Sequence, residues 1–333
     1  MHIGQRLVKS LLRIALGVTV AGVVLFSALV VVLRQPVLTG LAFAGPKRTD
    51  GATLKKHVEF LTTEVAPRGA SQPENLERAA AYIASCFRAA NARTRVQTFN
   101  ARGRSYANVI AEFGPAVSRE PVLVIGAHYD AFTETGALPG ADDNASGTAG
   151  LLELARLLGN HHVQRPVQLV AFANEEPPFF GSDQMGSAVH ANALASSGTQ
   201  VSAMICLEMI GYYSASQSWP NGLFRMIYPS AGDFIAVAGG WHDRHLTKVV
   251  KKGIAGAGDI RVVSFTGPHE TSDASDQRNY WHHGWPAVMI TDTAFLRNPN
   301  YHTRIDTAET LDYQRMALVI DGVLTAVLSL SSG

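Results

Sequence analysis

The chain contains 333 residues, and 47% of them are hydrophobic, which is enough to bury a complete core in one large domain or two small ones. Its formal net charge is +1, and beyond the N-terminus the basic residues cluster only at Lys248, Lys251 and Lys252. We interpret that group as a solvated helix face. Because nucleic-acid-binding surfaces need clustered basic residues, we expect no nucleic acid among the partners.

The first segment of the chain is apolar. Residues 14–33 carry no charge over 20 positions and would span about 30 Å as a helix, the thickness of a bilayer's hydrocarbon core. Arg6, Lys9 and Arg13 precede this segment, so the positive-inside rule predicts that residues 1–13 are cytoplasmic. We therefore expect a single-pass membrane anchor, a linker over residues 34–50 that contains Pro and Gly, and a domain that is periplasmic or extracellular.

A cleaved signal peptide is the alternative to this anchor. Ala42, Phe43 and Ala44 match the small-x-small pattern that precedes a cleavage site. The apolar run is longer than the core of about 7 to 15 residues in most signal peptides, and its length favours the uncleaved anchor. Export of the remaining chain is expected in either case.

Cys86 and Cys206 are the only cysteines, which is too few for a disulfide framework. Each lies in an apolar stretch and is expected to be a small buried side chain, although export would permit a bond between them.

From residue 51 onwards the hydrophobic pattern alternates between helix and strand. Helical periodicity predicts helices at 52–64, 73–90, 147–158, 182–194, 233–255, 276–283 and 308–329. The segments TRVQTF and ANVIAEF predict a hairpin, and apolar runs predict strands at 121–127, 167–173, 201–210, 260–265 and 286–291. This order predicts one α/β domain over residues 51–333, a three-layer α/β/α sandwich with a mixed, largely parallel central sheet, preceded by the N-terminal transmembrane helix.

Ionisable side chains follow the predicted strands. His128 and Asp130 come after the first, the segment GADDNASG at 140–147 precedes the next helix, and Glu175 and Glu176 follow the second strand. Glu208 lies near the end of the third, and His302 comes after the last. The carboxyl ends of parallel strands meet at one edge of a sheet, where active sites collect.

These side chains combine imidazole nitrogen with carboxylate oxygen and include no thiolate. That mixture is typical of catalytic rather than structural zinc sites. One zinc ion needs three protein ligands, whereas two histidines with several carboxylates suit two ions with a bridging carboxylate. Two adjacent acids after one strand, Glu175 and Glu176, are then expected to have separate roles, because successive strand side chains point to opposite faces.

The motifs H-x-D, G-A-D-D-x-A-S-G, N-E-E, L-E-M-I-G and Y-H-T-x-x-D-T, in this order over roughly residues 50–330, resemble the co-catalytic di-zinc aminopeptidases of peptidase clan MH. Bacterial leucyl aminopeptidase, glutamate carboxypeptidase and glutaminyl cyclase belong to the same group. The resemblance implies two zinc ions per chain. One would be held by His128, Asp143 and Glu208, and the other by Asp143, Glu176 and His302, so that Asp143 bridges them.

The resemblance also implies roles for two further acids. Glu175 matches the family's general base, which takes a proton from a metal-bridging water and passes it to the departing amine. Asp130 matches the acid that holds the spare nitrogen of His128. Two positions depart from the pattern: Glu208 stands where many relatives have Asp, and Gln277 where relatives commonly have His. Asp142, the first acid of the pair, does not match the bridging position.

Other polar residues have simpler interpretations. Asp306 and Glu309 resemble a capping box at the start of the last helix, and we expect capping for Asp306. The remaining histidines in polar stretches are expected at the surface, namely His161, His162, His242, His245, His282 and His283.

The resemblance implies a membrane-anchored zinc metallopeptidase of the aminopeptidase type, acting on peptides with a free N-terminus. No pair of arginines is evident for a substrate's C-terminal carboxylate. Two alternatives stay open: single-zinc acyl transfer of the glutaminyl cyclase kind, and a non-enzymatic ectodomain on the same fold.

Overall fold

The structure is a computed structural model that describes residues 2–43, 45, 48–133, 136–269 and 272–332, with the backbone alone for residues 2–8. Ala44, the last residue of the possible cleavage pattern, lies outside the described residues. The chain divides into two units, residues 1–36 and 37–333, and each is described by itself.

The first unit contains one long helix, α1 (His2–Arg34). Within it, residues 9–34 are long and apolar enough to cross a membrane, and most of the large apolar side chains there are exposed. This helix is a candidate transmembrane span, and it is equally compatible with a signal sequence.

The second unit contains the remaining helices and all the strands of the described chain. The helices are α2 (Gly51–Glu59), α3 (Pro73–Ala89), α4 (Gly147–Leu158), α5 (Gly186–Ser196), α6 (Gly222–Ile227), α7 (Arg244–Ala257), α8 (Arg278–Trp281) and α9 (Tyr313–Ser331). The strands are β1 (Arg93–Ala101), β2 (Arg104–Phe113), β3 (Val122–His128), β4 (Val167–Phe172), β5 (Val201–Glu208), β6 (Phe234–Gly240), β7 (Arg261–Gly267) and β8 (Ala287–Thr291).

The strands form one sheet in the order β1-β2-β4-β3-β5-β8-β6-β7. Four neighbouring strands, β4, β3, β5 and β8, run parallel to one another at its centre. The β1-β2 hairpin is antiparallel and extends one side, whereas β6 and β7 run antiparallel to β8 on the other. The mixed, largely parallel sheet predicted from the sequence is confirmed.

Helices cover both faces of this sheet, which confirms the three-layer sandwich. The larger core cluster packs α2, α3, α4, α7 and α9 against one face, and a smaller cluster around Phe172, His190 and Tyr280 lies under α5 and α8 on the other. α9 is also long and apolar enough to span a membrane, but most of it is buried, as expected of a core helix. Burial of apolar side chains on two faces is the main stabilising term for a sheet of this size.

Two predicted helices differ from the structure by more than their first few residues. The helix expected at 233–255 is wrong in its first part, because residues 234–240 form β6 and the helix begins only at Arg244. Every residue of β6 is buried, and a seven-residue apolar run does not distinguish a core strand from a buried helix. The helix expected at 276–283 is reduced to the single turn of α8.

Part of the segment predicted as a linker contacts the domain. The amide of Leu41 donates to the carbonyl of Lys252, and Arg48 pairs with Asp321 of α9 at 3.0 Å. Both cysteines are free thiols, so the bond between Cys86 and Cys206 is absent.

Candidate active site

The candidate site lies at the carboxyl ends of β3, β4, β5 and β8, which we call the carboxyl edge. His128 is the last residue of β3 and Glu208 the last of β5, while Glu175 follows β4 after a two-residue turn. Because these strands are parallel neighbours, their ends bring together side chains far apart in sequence.

Asp143 reaches the same edge from the turn that connects β3 to α4. The segment Ala141–Ser146 leaves helical geometry at Asp143 and Asn144, and the Asn144 side chain anchors it by donating to Leu207 and accepting from the amides of Gly147 and Met209. Gly147 is the first residue of α4, and a Cβ added there would lie 2.5 Å from the carbonyl oxygen of Leu207. This close approach requires glycine and places the Asp143 side chain beside β5.

The predicted ligands form two groups. Ligand atoms of His128, Asp143 and Glu208 all lie within 4.8 Å of one another, and so do those of Asp143, Glu176 and His302. Asp143 is common to both groups. These are the two ligand sets that the resemblance implies, so the structure brings all five predicted ligands together.

The Asp143 carboxylate divides its two oxygens between two imidazoles. Oδ1 lies 3.4 Å from Nε2 of His128, and Oδ2 lies 3.0 Å from Nε2 of His302. Glu208 Oε2 is 3.3 Å from the first imidazole, and Glu176 Oε1 is 3.3 Å from the second. A carboxylate in this orientation can bridge two cations.

The adjacent acids of the N-E-E motif turn to different partners. Glu176 faces His302, whereas Glu175 places Oε2 at 3.9 Å from Nε2 of His128. Both carboxyl groups are buried, with 6% of Glu175 and 5% of Glu176 exposed. The preceding residue, Asn174, has a φ of 61°, a left-handed conformation that is uncommon for residues other than glycine and directs the chain sharply away from β4.

Asp130 contacts both halves of this arrangement. Its Oδ1 lies 3.5 Å from Nδ1 of His128, and its carbonyl oxygen is 3.2 Å from the same nitrogen. The carboxylate also accepts hydrogen bonds from the amides of Glu175 at 3.1 Å and Glu176 at 3.0 Å. Asp130 therefore orients His128 and also holds the backbone that carries the two glutamates, a contact that the sequence analysis missed.

The electrostatics of the site reflect excess buried acid. Burial, reinforced by the carboxylates of Glu208 and Glu176, raises the pKa of Glu175 well above its usual range, although the His128 imidazole opposes the shift. Burial and the Asp143 carboxylate raise the pKa of Glu176 to about 8. Buried carboxylates this close together repel one another, so a cation would relieve their repulsion.

The two imidazoles show the complementary effect. Burial acts to lower the pKa of His128, but the carboxylates of Glu208 and Glu175 overcome it and raise that pKa well above its usual value. For His302, burial is likewise outweighed by Asp143 and Glu176, which raise the pKa to about 9. Both histidines are thus placed where positive charge is favoured.

The donor set fits a metal ion. Nε2 of His128, Nε2 of His302 and Oε1 of Glu176 are buried without a hydrogen-bond partner. Unpartnered buried polar atoms are costly unless a ligand pairs them. The three atoms belong to the two ligand groups, and their mixture of imidazole nitrogen and carboxylate oxygen is one that zinc accepts.

Other site contacts had no clear sequence signal. The Ser275 hydroxyl donates to Glu208 Oε2 at 2.6 Å, from the loop in which Gln277 stands at the family's usual histidine position. Gln277 itself donates to the carbonyl of Ser272. Asp142 accepts from the amide of Gly211 and the side chain of Asn298, and so ties the turn of Asp143 to two other loops.

The capping role expected for Asp306 is wrong. Its carboxylate accepts from the amides of Asp142 and Asp143, and the cap of α9 is Asp312, which accepts from Arg315. The acid therefore supports the turn that carries Asp143 from 163 residues away. The six histidines expected at the surface are all at least partly exposed.

The model of peptidase family M28 matches residues 108–327, about two thirds of the chain. The chain belongs to peptidase family M28. This membership confirms the resemblance predicted from the five motifs. Uncharacterized protein YfbL of Escherichia coli is a relative that is 47% identical over 305 residues, covering 89% of this chain and 93% of YfbL.

More distant matches have names that state an activity. A probable leucine aminopeptidase of Arthroderma benhamiae is 29% identical over 211 residues, which cover 60% of this chain and only 51% of that protein. Among solved structures, the zinc aminopeptidase BSAP of Bacillus subtilis matches with a TM-score of 0.67 at 15% identity, covering 84% of this chain and 95% of BSAP. Porphyromonas gingivalis glutaminyl cyclase matches with a TM-score of 0.64 at 20% identity, covering 84% and 97%. At these identities the structural matches establish the fold.

Proposed function

We propose that this M28 peptidase is a zinc aminopeptidase that removes N-terminal residues from peptides. Family membership and relatives named as aminopeptidases support a zinc metallopeptidase. The observation that carries the finer proposal is the Asp143 carboxylate, whose two oxygens face two imidazoles within two complete ligand groups.

In this proposal, two zinc ions are held per chain. His128, Asp143 and Glu208 hold one, and Asp143, Glu176 and His302 hold the other. Zinc bound there supplies Lewis acidity, which polarises the scissile carbonyl and lowers the pKa of water. The bridging Asp143 couples the two positions, so its loss disturbs both, whereas the loss of His302 disturbs chiefly one.

Glu175 is the proposed general base. It takes a proton from the attacking water and delivers it to the amine that departs when the peptide bond breaks. Its carboxylate lies beside the first ligand group, with Oε2 3.9 Å from Nε2 of His128. Asp130 keeps Glu175 in place through the backbone amide and keeps His128 oriented through Nδ1.

The substrate's free α-amine is the proposed basis of N-terminal selectivity. The carboxylates of Glu175, Glu176, Glu208 and Asp143 lie together at the site and offset the charge of two zinc ions, and their remaining oxygens can accept hydrogen bonds from a cationic amine close to the scissile bond. Acetylation of the substrate's N-terminus removes the positive charge of the amine, and we expect it to lower the rate of peptide hydrolysis greatly.

The test uses full-length protein extracted in detergent. Bound zinc is quantified, and one short peptide is supplied with a free or an acetylated N-terminus, with products identified by mass spectrometry. We expect close to two zinc ions, loss of activity after chelation, its return with zinc, and cleavage of the free peptide only. Equal cleavage of both peptides would reject the aminopeptidase assignment, and full activity in zinc-free protein would reject the metal-dependent mechanism.

Single-zinc glutaminyl cyclase chemistry is the second candidate, and the structural match to the Porphyromonas gingivalis enzyme favours it. The complete second ligand group argues against it. Peptides that begin with Gln discriminate the two functions, because cyclisation releases ammonia and leaves every peptide bond intact.

We also propose that residues 14–33 anchor the enzyme in a membrane, with residues 1–13 in the cytoplasm and the domain outside it. The apolar helix α1 and its basic N-terminal flank support this topology. Cell fractionation tests it, since a mature form found only in the soluble fraction and beginning near Gly45 would mean that the segment is a cleaved signal peptide.

A further inference from the structure

The two imidazoles at the carboxyl edge are oriented by different kinds of contact. His128 is fully buried, and its Nδ1 lies within 3.5 Å of the carboxylate and carbonyl oxygens of Asp130. Its orientation thus follows the usual arrangement for a metal-ligating histidine, in which the second ring nitrogen is fixed by an oxygen atom.

His302 is held by a different kind of contact. Among the residues that the structure describes, no hydrogen bond to Nδ1 of His302 is formed, and 22% of its side chain is exposed. Instead, the ring lies between two aromatic rings. Phe132 stacks on it at a centroid distance of 4.0 Å and an interplanar angle of 3°, and Tyr301 at 3.7 Å and 18°.

This arrangement, which we call the ring stack (Phe132, His302 and Tyr301), restricts the imidazole plane. Rotation about the bond from Cβ to the ring would drive the imidazole into one of its two neighbours, because both lie nearly parallel to it and in contact. The permitted orientation points Nε2 at Asp143 Oδ2, 3.0 Å away, and at Glu176 Oε1, 3.3 Å away.

The ring stack is assembled from two separate loops. Phe132 lies two residues beyond Asp130 in the loop after β3, so one loop carries the group that orients His128 and a ring that orients His302. Tyr301 precedes His302 in a turn in which His302 has a φ of 55°. That left-handed backbone allows two consecutive side chains to stack, which an extended strand would not permit.

We propose that Phe132 and Tyr301 are positioning residues that fix His302 by stacking, as Asp130 fixes His128 by accepting from Nδ1. The inference rests on the two-metal function proposed above. It implies that the zinc affinity of the position held by His302 depends on ring stacking, whereas the affinity of the position held by His128 does not.

The test compares zinc binding by full-length, detergent-extracted proteins stripped of metal. Phe132→Leu retains an apolar side chain but removes the flat ring, whereas the separate variant Phe132→Tyr keeps the ring. Tyr301→Leu removes the other side of the ring stack independently. Phe295→Leu is the matched control, because this phenylalanine is 68% exposed, lies at the same edge with its ring 5.9 Å from Tyr301, and makes no ring contact with His302.

Zinc is titrated against a competing indicator, so that the two affinities are resolved. In Phe132→Leu and Tyr301→Leu, the affinity for one zinc ion should be unchanged, and the affinity for the other should fall by about 10-fold to 100-fold. This is the usual effect of losing a group that orients a metal ligand. Phe132→Tyr and Phe295→Leu should match the wild type. A general loss of folding would weaken both affinities together, which the selective loss excludes.

Two results would overturn the inference while leaving the two-metal function intact: wild-type affinities at both positions in Phe132→Leu and Tyr301→Leu, or an equal loss in Phe132→Tyr and Phe132→Leu. A wild-type protein that binds fewer than two zinc ions would instead contradict the two-metal function itself, and the inference with it. That failure is visible before any variant is compared.

Discussion

Two regions of the molecule bring histidine and aspartate side chains close together, and these side chains have different hydrogen-bond partners in the two regions. At the carboxyl edge, His128 and His302 face carboxylates through nitrogen atoms that have no hydrogen-bond partner. Around α8, on the face of the sheet that α5 and α8 cover, a ring nitrogen of His190 lies 2.7 Å from the hydroxyl of Tyr280. Asp243 there accepts from the amides of Gly240 and Ala287 and from the ring nitrogens of Trp281 and His269.

The pKa shifts of His190 and His302 follow these partners. Burial, with a smaller contribution from Arg95, lowers the pKa of His190 to about 3, so this imidazole is neutral. At the carboxyl edge, burial acts in the same direction on His302, but Asp143 and Glu176 outweigh it and raise the pKa to about 9. An unpartnered nitrogen alone does not mark a metal ligand, since Nε2 of His190 is also unpartnered. What distinguishes His128 and His302 from His190 is that each faces two or more carboxylates through the unpartnered nitrogen.

The largest effect is expected at the carboxyl edge, from Glu175→Gln. The substitution keeps the shape of the side chain but removes the proton acceptor, so turnover should fall by about 10² to 10⁴ while zinc content stays near that of the wild type. Glu176→Gln is the matched control and should reduce zinc content instead. Steady-state kinetics and metal analysis on both variants check this, and exchanged effects would reverse the assignment of the pair.

A smaller effect of a different kind is expected in the α8 region, from Asp243→Asn. The carboxylate accepts four hydrogen bonds, and an amide cannot accept all of them, so the free energy of unfolding should fall by about 1.5 to 3 kcal/mol. Denaturant unfolding measures the loss. Zinc content and turnover of the folded protein should be unchanged, and a selective loss of zinc would break the distinction between the two regions.

The smallest effect is expected from His190, through the pH dependence of the free energy of unfolding. Its pKa is lowered on folding, so the unfolded chain binds a proton below about pH 6.5 that the folded protein accepts only near pH 3. His190 therefore contributes a loss of stability as the pH falls through this window, of up to about 1.4 kcal/mol per pH unit.

The double variant His190→Leu/Tyr280→Phe removes the imidazole without leaving the tyrosine hydroxyl unpaired. Denaturant unfolding of metal-free wild type and variant from pH 7 to pH 4 isolates the contribution of His190, because the other titrating groups are common to both. We expect the stability of the variant to fall less steeply than that of the wild type. Parallel curves would show that His190 is already protonated in the folded protein.

Much of this protein follows from the sequence alone. The alternation of apolar runs and helical patterns predicts the α/β sandwich, and five motifs at strand ends predict which side chains meet, because parallel strands end at a common edge. His128, Glu175, Glu176, Glu208 and His302 were expected near one another for that reason, and the resemblance to the clan MH aminopeptidases implied the two ligand sets and the place of Asp143 in both.

Tertiary structure alone decided the remaining features. The run FIAVAGG is apolar throughout, and only its pairing with β7 and β8 makes it a strand. Asp306 reaches the turn that carries Asp143, and Phe132 stacks on His302, each across more than 160 residues of sequence, and no local pattern predicts either contact. Local propensity depends on neighbours in the chain, whereas ring stacking and buried hydrogen bonds depend on neighbours in space, and packing of the completed sheet determines those.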